Sequence, residues 1–183
     1  PNRMSPAARA SRTGTRETPG VGVVAPVARA LVAATRSGRV GVIGTLGTVG
    51  SGAYQRAVAA TGAAVELTCA ACPGFVEFVE SGDVDSDQVH VLAERLLEPV
   101  RRADVDTLVL GCTHYPLLAR TIGDVMGPDV VLVSSADETA FAARRMLGTA
   151  SLDQDVSTGR AHHRFIASGD PVRFTQLGSR CLG

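Results

Sequence analysis

The sequence predicts an α/β protein with a parallel sheet flanked by helices. Short apolar runs of strand type alternate along the chain with helical patterns that repeat every three to four residues. Two of the strand-like runs are followed at once by small-residue loops, the arrangement found at the carboxyl ends of parallel strands. The 183 residues, 45% of them hydrophobic and 20% charged, suit a globular chain of one domain, or one small domain and part of another.

Charge and composition exclude several classes of function. The 18 basic and 18 acidic residues balance, which argues against binding to nucleic acid or to an anionic membrane surface through bulk charge. No apolar run reaches the roughly 18 residues of a membrane-spanning helix. All basic residues other than histidine are arginine, so Schiff-base chemistry on a lysine of this chain is excluded. Four cysteines without a secretory signal favour reduced thiols in the cytoplasm.

The first half of the chain changes character at Pro19. Residues 1–18 are rich in Arg, Ser, Thr and Pro without a core-forming period, which predicts a disordered leader or a segment cut off from its partners. Valines at 21, 23 and 24 then indicate a strand, and Pro26 suits the first turn of a helix. Further on, the pattern predicts strands at 40–43 and about 64–69, with a helix over about 51–60 between them.

The second half contains the clearest helix, over about residues 86–103. Its apolar residues form one stripe, Asp85 with Gln88 resembles a capping box, and Pro99 is expected to bend the helix or end it early. The elements predicted after it are strands at 107–110 and 130–133, a helix from Pro116, a helix over 137–147, a polar linker at about 149–160, a strand at 164–167 and a helix from Pro171.

Cys112 is the most informative candidate residue. It lies between a buried strand and a helix start, where backbone N–H groups favour a thiolate. His114, two residues on, can assist if the loop folds back, so that Cys112 acts as a nucleophile or a base. An inert buried cysteine at the end of a strand is the alternative.

The other small-residue loop offers two hydroxyl groups. Thr45 and Thr48 can bind a carboxylate, and Gly44 and Gly47 let a ligand approach the backbone; an ordinary strand-to-helix turn is the alternative. Cys69 and Cys72 have the spacing of a redox pair or half a zinc site, but the other half is missing, which favours two packed thiols. The cysteines and histidines do not form a zinc-ligand pattern.

The string TLVLGCTHYPLL at 107–118 resembles the glutamate racemases of the aspartate/glutamate racemase family. Further segments are similar to the family and follow in its order: GVIGTLGTVGSGAY (41–54), ACPGFVEFVE (71–80), LEPV (97–100), VLVSSADETA (131–140) and SGDPVRF (168–174). The resemblance implies a cofactor-independent enzyme of two α/β domains, in which two cysteines act on opposite faces of the substrate α-carbon.

The resemblance gives Cys112 the role of one acid/base, with His114 beside it, and it gives Thr113 and His114 contact with the substrate. It also implies carboxylate binding by Thr45 and Thr48, glutamate as the substrate, D-glutamate for peptidoglycan as the product, and no metal or other cofactor. The family's motifs for the other cysteine are not found here. The chain is therefore expected to hold the second racemase domain, 19–133, and the returning part of the first, 134–183.

Three readings remain open at this point. The chain is a truncated glutamate racemase with weak or no activity of its own, a non-catalytic remnant or binding module, or a racemase of aspartate or a related amino acid. A homo-oligomer is left open. Residues Phe141, Met146, Phe165 and Phe174 are expected to be poorly covered, because by resemblance they pack on missing strands.

Overall fold

A computed structural model describes residues 20–149 and 164–182. Its sheet has four strands, all parallel, in the order β2-β1-β3-β4. The strands are β1 (Arg39–Gly44), β2 (Glu66–Ala71), β3 (Thr107–Leu110) and β4 (Val131–Ser134). The predicted fold class, a parallel sheet flanked by helices, is confirmed.

Helices cover both faces of this sheet. They are α1 (Val24–Ala34), α2 (Leu46–Gly50), α3 (Ala53–Ala59), α4 (Phe75–Ser81), α5 (Asp87–Arg102), a 3₁₀ helix (Tyr115–Leu118), α6 (Ala119–Met126), α7 (Ser135–Thr149) and α8 (Pro171–Leu182). On one face α1 packs beside α3 and α7, and on the other α5 packs beside α6. No helix within 20–149 or 164–182 has the length and apolar character needed to cross a bilayer.

Side chains of the central strands alternate between two cores. Val40 and Val42 of β1 pack with α1, whereas Ile43 lies in the core that α4, α5 and α6 build with β3. All three side chains are fully buried. Full burial on both faces explains why β1 and β3 appear in the sequence as unbroken apolar runs.

Four details of the predicted elements were wrong. Val24 begins a helix instead of continuing a strand, because Val27, Ala28 and Leu31 bury one helical face. Residues 164–167 form no strand; they are exposed and have no strand beside them.

The other two errors concern α5. Its N-cap is Ser86, whose hydroxyl accepts a hydrogen bond from the Val89 N–H at 3.3 Å, in place of the expected box of Asp85 and Gln88. The helix also does not end early at Pro99 but continues to Arg102, because Leu97 and Val100 are fully buried and hold this turn against the core. A bend at Pro99 stays a prediction.

A carboxylate ties the elements together at the amino-terminal edge of the sheet. Asp106 accepts hydrogen bonds from the Thr35 hydroxyl at 2.6 Å, from the Ser37 and Arg36 N–H groups at 2.6 and 2.7 Å, and from the Thr107 hydroxyl at 3.0 Å. Desolvation raises the pKa of Asp106, but these four hydrogen bonds outweigh it and hold the pKa well below its usual range. The interaction fixes the end of α1 to the start of β3.

Candidate active site

The two small-residue loops begin side by side at the carboxyl edge of the sheet. From β1 the chain crosses to β2 on one side and then returns to β3 on the other, so β1 and β3 flank the topological switch point. The Gly111 N–H donates a 2.8 Å hydrogen bond to the Ile43 carbonyl, which joins the ends of these strands. Ligands of open α/β sheets bind at such a point.

Gly111 permits this close approach. A Cβ atom at this position would lie 2.7 Å from the Ile43 carbonyl oxygen and 3.3 Å from the ring of Tyr54. The carbonyl belongs to the strand and cannot move aside, so a side chain would displace the loop. The glycine therefore sets the position of Cys112, which follows it directly.

The structure brings Cys112 and His114 together. Cys112 Sγ lies 3.9 Å from His114 Nδ1, and Thr113 Oγ1 lies 3.4 Å from the same nitrogen. Cys112 and His114 are half-buried, whereas Thr113 is exposed. A thiol with an imidazole nitrogen in contact and access to solvent can exchange protons with a bound molecule. The catalytic roles of the three residues stay predictions.

Glu80 extends this arrangement on the far side of the imidazole. Its Oε1 lies 3.6 Å from His114 Nε2, within ion-pair range but longer than a hydrogen bond. Its Oε2 accepts a 3.2 Å hydrogen bond from Arg173 Nη2 on α8. Sequence reasoning missed both residues. Glu80 and Arg173 each fall in a segment quoted above for its family similarity, 71–80 and 168–174, and this was the one available signal for either residue.

Thr45 and Thr48 form a pair of their own beyond β1, with Thr45 at the end of the loop and Thr48 inside α2. Thr45 is the N-cap of α2, and its Oγ1 accepts a 3.2 Å hydrogen bond from the Thr48 N–H. The two hydroxyl oxygens lie 3.0 Å apart, with Thr48 buried and Thr45 partly exposed. The pair follows β1 as Cys112 follows β3, so both groups stand at the same edge. Carboxylate binding by these threonines stays a prediction.

Two buried tyrosines support the Cys112 loop. Tyr115 lies edge-on to Phe75 of α4, with ring centroids 5.3 Å apart. Burial, and then the charges of Cys72, Cys112 and Glu77, raise the pKa of Tyr115. Burial and then the charge of Cys112 raise the pKa of Tyr54 to about 12. Both phenols therefore stay neutral beside the thiol at ordinary pH.

Cys69 and Cys72 do not form a redox site. Both thiols are free, and they pack in different cores: Cys69 with the α1 layer and Cys72 with the α4–α6 layer. Burial raises the pKa of Cys69, and it raises that of Cys72 to about 12. Thiols with raised pKa values react slowly as nucleophiles. Packing is therefore the better interpretation.

The remaining candidate ligands do not gather into a metal site in the part of the chain that the structure describes. Within 20–149 and 164–182, no three His, Cys, Asp or Glu residues lie close enough to hold an ion. His90 is partly exposed on α5 and faces Asp124 at 3.6 Å. His162 and His163 lie outside the described residues, as does the side chain of Cys181.

Comparison with known proteins decides the family. The family model described as "Asp/Glu/Hydantoin racemase" matches residues 2–143. The chain belongs to this racemase family. Curated glutamate racemases from Parafrankia and Mycobacterium tuberculosis are each 49% identical to it over 167 residues. These alignments cover 91% of this chain but 60% and 61% of the relatives, so the chain spans about three fifths of their length.

Solved racemase structures share the fold. The glutamate racemase isoform RacE1 from Bacillus anthracis superposes with a TM-score of 0.83 at 36% identity, covering 88% of this chain and 60% of that one. The glutamate racemase from Francisella tularensis in complex with D-glutamate gives 0.78 at 26% identity, covering 87% and 58%. The family resemblance inferred from the Cys112 segment is confirmed.

Proposed function

We propose that this chain is the Cys112-bearing part of a glutamate racemase, which interconverts L- and D-glutamate without a cofactor. The observation that carries the proposal is the 3.9 Å contact between Cys112 Sγ and His114 Nδ1 at the switch point of the sheet. Relatives that are 49% and 50% identical to this chain over 167 residues are named glutamate racemases. In a cell the product would supply D-glutamate for peptidoglycan.

Cys112 is the acid/base for one face of the substrate in this proposal. The thiolate takes the α-proton, the electron pair of the C–H bond stays on the substrate as a carbanion, and a proton from the opposite face completes the inversion. His114 holds the thiol in place and exchanges its proton. Thr113 contacts the substrate, and the hydroxyls of Thr45 and Thr48 receive a carboxylate at the facing loop.

A second, oppositely placed thiol is missing from the described part of the chain. Cys72 is 1% exposed, and Cys69 belongs to the α1-side core. One positioned acid/base typically contributes about 10²–10⁴-fold to a proton-transfer rate. We therefore propose that the chain alone racemises glutamate weakly or not at all.

The proposed domain division follows from the same assignment. Residues 19–133 would form the complete racemase domain and 134–183 the returning part of the other. The three described cysteines are free thiols, so we place the protein in the cytoplasm, a reducing compartment. The oligomeric state stays open.

Exchange of the α-proton tests the proposal directly. The chain is incubated with L- or D-glutamate in D₂O, and loss of the α-proton signal is followed by NMR, with optical rotation measured in parallel. We expect slow exchange that favours one enantiomer, disappears in Cys112→Ser and produces little inversion. The Mycobacterium tuberculosis relative serves as the positive control.

The alternatives give different outcomes in the same assay. Exchange on aspartate but not on glutamate would indicate an aspartate racemase. No exchange on either amino acid, in a folded chain, would indicate the non-catalytic remnant. Full inversion by the chain alone would contradict the missing second acid/base.

A further inference from the structure

We infer that Arg173 is a positioning residue for the Cys112–His114 pair and acts through Glu80. The role of Arg173 in catalysis rests on the proposed function, whereas the contacts that Arg173 and Glu80 make do not depend on that function. Each oxygen of one carboxylate faces a different side chain: Glu80 Oε1 lies 3.6 Å from His114 Nε2, and Oε2 accepts a 3.2 Å hydrogen bond from Arg173 Nη2.

The arginine makes the shorter of the two contacts. Glu80 is 43% exposed in the last turn of α4, so its side chain has several rotamers open to it. An imidazole contact of 3.6 Å is too long to select one of them, whereas the hydrogen bond from Arg173 selects the rotamer that aims Oε1 at the ring. Without Arg173, the carboxylate is expected to turn into solvent.

The backbone of Arg173 is itself held in place. It lies in the first turn of α8, where Asp170 Oδ1 accepts hydrogen bonds from the Val172 N–H at 2.8 Å and the Arg173 N–H at 3.4 Å. These bonds cap the helix and fix the point from which the guanidinium reaches α4. Arg173 therefore links α8 to the site, although it lies 93 positions after Glu80 in the sequence.

The carboxylate in turn orients the ring. The negative charge of a carboxylate 3.6 Å from Nε2 favours the tautomer with a proton on that nitrogen, which leaves the Nδ1 lone pair facing Cys112 Sγ. This is the arrangement in which the imidazole can accept the thiol proton. Loss of Arg173 is expected to lower the population of this tautomer and to slow reactions of the Cys112 thiol.

The test compares four variants of the full chain at one pH: Arg173→Gln, Arg173→Lys, Glu80→Gln and the double variant with both glutamines. Two quantities are measured, the ¹⁵N shifts of the His114 ring and the rate of Cys112 alkylation by iodoacetamide. Arg95→Gln, a change of the same charge at an exposed position of α5, is the control. Circular dichroism checks that each variant folds.

We expect Arg173→Gln to slow alkylation about two- to fivefold, the range that a partly exposed ion pair supports, and to shift the ring signals toward the other tautomer. Arg173→Lys should retain most of the wild-type rate, and Arg173→Gln should have no further effect once Glu80 is Gln. The inference would be overturned if Arg173→Gln was alkylated at the same rate as Arg95→Gln. It would also be overturned if Arg173→Gln slowed alkylation by the same factor when Glu80 is already Gln. Absence of glutamate exchange with these responses intact would refute only the proposed function.

Discussion

The phenol of Tyr115 donates a 2.9 Å hydrogen bond to the backbone carbonyl of Cys72. The bond joins the turn that follows β2 to the turn that follows β3, and both partners are buried. It fixes the distance between the segment that leads into α4, with Glu80, and the loop that carries Cys112 and His114.

Removal of this phenol is expected to destabilise the domain. Tyr115→Phe leaves the Cys72 carbonyl buried without its donor, at a cost of about 1–3 kcal/mol in the free energy of unfolding. Urea denaturation measures the loss. Phe75→Leu, which removes the ring contact but retains the hydrogen bond, separates packing from hydrogen bonding. An unchanged urea midpoint for Tyr115→Phe would show that water replaces the donor.

Gly111→Ala tests the close approach of β3 to β1. The added methyl group would lie 2.7 Å from the Ile43 carbonyl oxygen, and overpacking of this kind costs about 1–3 kcal/mol. We expect a lower urea midpoint and slower alkylation of Cys112. Gly50→Ala is the matched control, because nothing lies within 4 Å of a Cβ there. Equal stability of the two variants would contradict the proposed constraint.

The three described cysteines are expected to react with iodoacetamide in a fixed order. Cys112 is half-buried beside an imidazole and should react first, because burial raises the pKa of Cys69 and raises that of Cys72 to about 12. Peptide mapping by mass spectrometry after short exposures gives the order. His114→Asn should slow Cys112 and leave Cys69 unaffected. Faster labelling of Cys72 than of Cys112 in the folded chain would contradict the site.

Asp106→Asn is expected to destabilise the protein at neutral pH and to matter less in acid. The folded-state pKa of Asp106 lies below its unfolded value, so the carboxylate contributes stability above the unfolded value of about 4 and loses it as the pH falls through the folded-state pKa. Because the side chain is partly exposed, we expect a loss of only about 1 kcal/mol at pH 7.

Urea denaturation at neutral and acidic pH measures that difference. Asp104→Asn is the control, since Asp104 is 85% exposed and pairs with Arg39 at 2.7 Å. The mechanism would be contradicted if the difference in unfolding free energy between wild type and Asp106→Asn became larger as the pH falls.

The helices α7 and α8 are expected to exchange their amide hydrogens faster than the sheet. The side chains of Phe141, Phe165 and Phe174 are 56%, 64% and 41% exposed, in line with the poor coverage predicted from the sequence. Met146 is partly buried. Hydrogen exchange should therefore show α8 opening long before α5. Equal protection of α5 and α8 in a monomer would contradict this expectation.

The sequence indicated the elements that are buried on both sides. The runs at 40–43 and 107–110 were predicted as strands because Val40, Val42 and Leu108 are fully buried and appear in unbroken apolar runs. Cys112 and His114 were found because only Thr113 separates them and a loop of known type carries both. Local patterns sufficed for these cases.

Features that depend on distant partners could not be predicted in this way. The hydrogen bond between Glu80 and Arg173 spans 93 positions and leaves no periodic trace. Val24 has a strong β-propensity, but no neighbouring strand is available to it and α1 gains burial instead. The strand expected at 164–167 failed for the same reason, since an apolar run forms a strand only beside a partner.

The order of the strands also bears on how the site comes into being during folding. β1 can pair with β2 soon after synthesis, but its pairing with β3 joins Val40 to Thr107 and closes a much longer loop. Contacts between such distant segments form late and limit the rate of folding. A partly folded chain with only the β1–β2 pair would expose β1 on one side as an open edge and would lack the crevice entirely. Thiol chemistry at Cys112 is thus a late property of the folding chain, which makes its reactivity a sensitive reporter of complete folding.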